Sequence, residues 1–278
     1  MGNVIRLIFF YLNAISADIV IAAVCLFFTL NELMGIETKI YLSVLLIFGT
    51  FIVYWFDHYI DIQIYGKNIS PRHFFFSKYQ TVFLIVSLVF LTIGSIICLY
   101  ALSWSELIHG LLLGTLMLIY LFLHKKLNRF LFFKKEFLIS LLYATSVSFQ
   151  AFAQMNLGFI WYYIPLLLTV FYAVNSIASI EKSNDEVLGI INNQKINQTA
   201  TKDFLKRWLL PILTCVPILI TDSIPSQFFF ASLLSIQLIH LILLKKHKLG
   251  TLNLLSYRII SEWSFCLPIL VYFIKKAC

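Results

Sequence analysis

Runs of about 20 apolar residues, separated by short polar clusters, repeat along the whole chain. A bilayer's hydrocarbon core takes about 20 residues of α-helix to cross, so each run predicts a crossing. Nine are expected, at roughly 16–34, 39–58, 79–101, 105–123, 137–154, 159–179, 208–221, 227–244 and 257–274. Residues 1–14 carry Asn3, Arg6 and Asn13 among aromatics and predict a short interfacial helix leading into the first crossing. The main polar loops fall at about 59–78, 124–136, 181–207 and 245–256. The pattern therefore predicts an all-α polytopic membrane protein. It is a single domain over 1–278, with about nine transmembrane helices bundled around a central cavity.

Composition agrees. The chain is 60% hydrophobic and 12% charged, with a mean hydropathy of +0.90, far from the soluble range. A net charge of +8 would suggest nucleic acid in a soluble protein, but here its distribution is topological. Seventeen of the 21 Lys and Arg residues fall at the N-terminus or in the loops after crossings two, four, six and eight, and Arg258, at the adjoining start of crossing nine, makes eighteen. That bias puts the N-terminus and even-numbered loops in the cytoplasm, in a membrane of the bacterial cell type, and excludes a nucleic-acid function. Nine crossings then leave Lys275 and Lys276 outside, against the bias. The five cysteines show no C-x-x-C spacing, and four sit inside apolar runs as small buried residues do. No small-residue cleavage site follows the first apolar stretch, which is read as retained. Arg6 stands where a myristoylation motif needs Ser or Thr.

Acidic residues are scarce, and two pairs are spaced i, i+4. Asp57 and Asp61 close the second crossing, after Tyr54, and Glu181 and Asp185 close the sixth. On a helix each pair shares a face. Two carboxylates about 6 Å apart, at an effective dielectric of about 20, repel by roughly 3 kcal/mol, which favours a shifted pKa or a bound cation. Alternatively, the acids simply solvate helix ends. Both pairs lie on the same expected membrane face, four crossings apart, which suggests a pseudo-repeat. If they converge, they form an oxygen-rich site suited to Mg²⁺, and a diphosphate bridged by Mg²⁺ is a natural guest.

With these motifs the chain resembles the UbiA-type intramembrane prenyltransferase superfamily. Its members have nine helices and two Asp-rich motifs at the cytoplasmic ends of helices two and six. Against the first motif, N-D-x-x-D-x-x-x-D, Asp57 and Asp61 match the last two acids, while Val53 and Tyr54 replace the leading Asn-Asp. Against the second, Glu181, Asp185 and Gly189 match, with Glu for the first Asp. A Y-x-x-x-K element is approximated by Tyr120, with His124 in its fifth position and Lys125 and Lys126 following.

The resemblance implies transfer of a prenyl group from a prenyl diphosphate to a lipophilic acceptor, commonly aromatic or a quinone precursor, among membrane lipids. On that reading Asp57, Asp61, Glu181 and Asp185 hold Mg²⁺. Arg72 and one of Lys125 or Lys126 grip the leaving group, and Tyr54 and Tyr120 offer aromatic faces to an allylic cation. The missing Asn-Asp leaves a second reading open: a relative that binds an isoprenoid or other lipid without this chemistry. A transporter would need its acids near mid-membrane rather than at helix ends.

Other polar positions have plainer expectations. Arg258 and Glu262, i, i+4 in the ninth crossing, predict a mutual ion pair. His109 and His240 sit singly in apolar segments without metal spacing and predict hydrogen-bonded core histidines. Asn175 and Ser176 suit helix–helix hydrogen bonding, with Asn175 also placed for a substrate contact below Glu181. The polar run 192–203 is either a lid or a solvated linker.

Overall fold

Helix follows wherever the apolar runs go. The computed structural model describes residues 2–65, 71–130, 135–154, 158–187, 211–248, 250 and 254–277, and its side-chain detail does not extend to 2–6, 64–65, 71, 122–130, 135, 181–187, 248 or 277. Among the described residues no strand occurs. In chain order the helices are α1 (Gly2–Ala14), α2 (Ala17–Leu33), α3 (Ile40–Tyr65), α4 (Pro71–Lys78), α5 (Gln80–Ala101), α6 (Trp104–Phe130) and α7 (Lys135–Val147). They continue with α8 (Phe149–Ala153), α9 (Phe159–Val187), α10 (Pro211–Ile220), α11 (Ile224–Lys248), α12 (Leu254–Ser264) and α13 (Ile269–Ala277).

Six segments are long and apolar enough to cross a membrane: Ile40–Gln63, Gln80–Ala101, Trp104–Leu121, Phe159–Ile180, Ile224–His247 and Leu254–Lys276. The bent pair α1–α2 makes a seventh if it is one span. Such helices are compatible with an integral membrane protein. Two expected crossings come out shorter: Glu136–Val147 in the fifth and Pro211–Ile220 in the seventh.

Several boundaries move. The second crossing does not end at its acids: α3 runs on to Tyr65, and the loop expected at 59–78 contains α4. Helices α6 and α9 likewise continue past their apolar runs, to Phe130 and Val187. Backbone hydrogen bonds persist through polar residues, so hydropathy marks the apolar layer and not the helix end. The ninth crossing breaks between Ser264 and Ile269. Pro268 has no amide hydrogen to donate there, and the chain makes i→i+3 turns in which, for example, Phe265 N donates to Glu262 O.

Helix α2 occupies the middle, against α1, α3, α7, α12 and α13. Its small residues Ala22 and Ala23, with Ala144 of α7, let backbones approach closely, while Leu26, Phe27, Leu166, Phe229 and Leu233 fill the main core. In contrast, only 17% of the α5 span and 11% of the α6 span is buried, against 44% for those of α9 and α11. Leu84, Ile85, Leu88, Leu111 and Leu118 project outward there, a surface that needs an apolar medium.

The α1–α2 corner is sharp, with a 76° bend. Ser16 makes it in the left-handed region (φ 62°, ψ 23°), the one non-glycine with positive φ among the described residues. That conformation costs roughly 1–2 kcal/mol for a residue with a Cβ. Two later elements hold it: Trp55 Nε1 of α3 donates to Ile15 O at 3.1 Å, and Arg72 of α4 donates to Ser16 Oγ at 2.7 Å.

Candidate functional site

A cavity with about 540 Å³ of empty space, its open mouth included, lies between α2, α3, α6 and α7. Helical periodicity builds it: Leu46, Thr50, Val53, Tyr54 and Asp57 form one stripe of α3, and Ile139, Leu142, Tyr143, Ser146 and Val147 one stripe of α7. The walls are mostly apolar, with polarity concentrated at Asp57 and the tyrosine hydroxyls. From α6, Tyr120 donates to Asp57 Oδ1 at 3.0 Å, so a buried phenol orients the carboxylate. Of the sequence-predicted residues, Tyr54, Asp57 and Tyr120 are thus brought together.

Asp61, one turn further along α3, meets α4 instead. Its Oδ2 lies 3.8 Å from His73 Nε2. Beside them His58 is buried, edge-on to His73 (ring centroids 5.5 Å) and Phe76 (5.6 Å). Neither ring nitrogen of His58 has a hydrogen-bond partner among the described residues. A buried polar group left so costs about 1–3 kcal/mol.

A third polar group lies under the α1–α2 corner. The Asn13 amide donates to Asp18 Oδ2 at 2.7 Å and also to Glu262 Oε2 of α12. Glu262 Oε1 is 4.0 Å from Arg72 Nη1, and the same guanidinium holds Ser16. Asn13, Ser16, Asp18, Arg72 and Glu262 are all buried. Arg72 is therefore not a loop cation at the cavity but the charge partner of this cluster. Glu262 thus meets Asn13 and Arg72 from other helices, with Arg258 one turn before it on α12.

The remaining expectations divide. Asn175 is half-buried on α9 and donates to Phe171 O of its own helix at 2.8 Å; it does not line the cavity. His240 is a core histidine as expected, with Tyr257 Oη at 3.2 Å and Ser261 Oγ at 3.0 Å, and His109 Nδ1 meets Ser105 O at 2.7 Å. Glu181, Asp185, Lys125 and Lys126 lie on helical backbone, and their side chains fall outside the described residues, as does the whole run 192–203. Sequence reasoning passed over His58, His73, Asn13 and Asp18. For Asp18 the signal was present, a lone acid inside an apolar run.

Mg²⁺ commonly binds one or two protein carboxylates and completes its octahedron with water and substrate phosphates. Asp57, on the cavity wall, is a carboxylate donor of that kind, whereas Asp61, one turn on, does not line the cavity and lies against His73. No protein-family model matches the chain, and no curated protein or solved structure shows significant similarity to it.

Proposed function

We propose that this protein transfers a prenyl group from a prenyl diphosphate to a lipophilic acceptor of aromatic or quinone-precursor type. It would do so inside the membrane with Mg²⁺, as the UbiA-type superfamily does. The observation that carries the reading is Asp57, a carboxylate fixed by Tyr120 on the wall of an apolar cavity inside a helical bundle. On this reading the nine apolar segments are nine crossings, with the N-terminus and even loops cytoplasmic.

Asp57, Asp61, Glu181 and Asp185 would hold Mg²⁺, which supplies charge neutralisation at the diphosphate. Tyr120 keeps the Asp57 carboxylate pointed at the cavity. As the carbon–oxygen bond of the donor breaks, its electron pair leaves on the diphosphate. The apolar walls keep water from the resulting allylic cation, and the ring faces of Tyr54 and Tyr143 stabilise it. The acceptor carbon then forms the new bond and gives up its proton, which the released diphosphate takes. Lys125 or Lys126 would attract the departing diphosphate from the end of α6; Arg72, engaged by Glu262 and Ser16, would act by holding α4 in place.

Purified protein with Mg²⁺ and labelled prenyl diphosphates is expected to pass label to a quinone precursor or phenolic acceptor, and Asp57→Ala or Asp185→Ala to abolish it. Turnover surviving both substitutions removes the mechanism. One observation favours a second reading: Val53 and Tyr54, which replace the Asn-Asp of the first motif, both line the cavity. A site so depleted of ligands suits binding of an isoprenoid or other lipid without turnover, and would show lipid copurification and no Mg²⁺-dependent product.

A further inference from the structure

The end of α3 carries a second kind of donor set. His58, Asp61 and His73 each present a ligand atom, and these three atoms all lie within 4.8 Å of one another. Two imidazoles and a carboxylate differ in chemistry from an all-oxygen magnesium site. Nitrogen ligands favour zinc and its first-row neighbours, and a His₂-carboxylate set leaves a fourth position for water. Bonds of about 2.0–2.2 Å place tetrahedral ligand atoms roughly 3.4 Å apart, so the set must close by about an ångström. Asp61 and His73 are only half-buried and on separate helices, and small side-chain rotations supply that movement.

An independent observation points to a ligand. His58 is 95% buried, stands against His73, and has two ring nitrogens without a hydrogen-bond partner among the described residues. A coordinate bond would satisfy one of them. The nearby cation Arg72 does not veto an ion here, because its guanidinium is turned to Ser16 Oγ and Glu262.

We propose that His58, Asp61 and His73 bind one divalent transition-metal ion of the zinc class, clamping α4 to α3. The site goes beyond the prenyl-transfer reading and shares only Asp61 with its acids. Because Arg72 adjoins His73 on α4, the clamp also fixes the helix that supplies the Arg72 guanidinium to the buried polar cluster.

The test uses full-length protein in detergent, purified through a tag that contains no histidine, stripped with chelator and titrated with Co²⁺ and Zn²⁺. Wild type is expected to bind one ion per chain, with the intense visible bands of tetrahedral cobalt, and to resist millimolar Mg²⁺. His58→Gln and His73→Asn should each weaken binding at least tenfold while eluting as monodisperse protein, whereas His109→Ala keeps both stoichiometry and spectrum. His73→Asn, at a half-buried position, serves if His58→Gln fails to fold. Binding no tighter than that of the His73→Asn variant, or displacement by Mg²⁺, overturns the proposal. Since metal content is read directly, an absence of prenyl transfer leaves this result standing, and retained transfer does not rescue a failed titration.

Discussion

Tyr120 Oη and Asp57 Oδ1, 3.0 Å apart, join α6 to α3 at the cavity wall across 63 positions of sequence. A hydrogen bond to a charged group contributes about 1.5–3 kcal/mol, a factor of roughly 10–100. Tyr120→Phe keeps the ring and removes only the donor. Prenyl transfer by this variant is expected to fall about 10- to 100-fold in kcat/KM on the conversion above. A change under threefold in steady-state kinetics would show that Asp57 is positioned without the phenol.

Arg72 is expected to matter most for stability. Removing one partner of a buried pair leaves the other charge uncompensated and costs about 3–5 kcal/mol. Arg72→Ala should therefore lower the thermal unfolding midpoint in detergent sharply. Adding Glu262→Gln should restore part of it, because the stranded carboxylate is gone. A double variant as unstable as the sum of the singles would mean that the two residues are not coupled.

At the other end of α3, Lys39 Nζ meets Glu106 Oε1 at 2.8 Å. Glu106 also accepts from Ser103 N and Ser103 Oγ, each at 2.8 Å, so the same carboxylate caps the start of α6. The hydrogen bonds to Glu106 and then Tyr41 hold the Lys39 amine above its ordinary pKa. A raised pKa means the contribution is complete below the unfolded lysine's pKa and fades only as pH climbs through the folded one. Stability is thus expected to show no Lys39-dependent slope between roughly pH 6 and 9, where both states carry the proton. With 39% of its side chain exposed, Lys39→Ala should cost less than about 1 kcal/mol, and Ser103→Ala about 0.5–2 kcal/mol, by thermal denaturation.

The apolar runs told where helices lie because a bilayer and a helix share one length scale. They told less about where helices stop: α3, α6 and α9 all outlast their hydrophobic stretches. The i, i+4 spacing put Asp57 and Asp61 one turn apart on a helix, and α3 runs through both. It did not show that Asp61 turns to α4, since the partner, His73, lies beyond a segment read as loop. Glu262 was paired with Arg258 from their i, i+4 spacing, and Arg72 was read as a loop cation gripping the leaving group. Their actual relationship spans four helices and depends on the α1–α2 bend, which hydropathy does not encode. Pro268 carried a signal for the break in the ninth crossing, which the hydropathy pattern ran straight through.

The left-handed Ser16 corner bears on the order of assembly. Both of its clasps, Trp55 and Arg72, leave the ribosome later than the corner itself, by 40 and 56 residues. A nascent α1–α2 segment has neither, so only the local Asn13–Asp18 hydrogen bond spans its bend and a straighter, less strained path is open to it. Only once α3 and α4 have arrived is the hinge locked, which makes the amino-terminal angle of this protein a product of its downstream sequence.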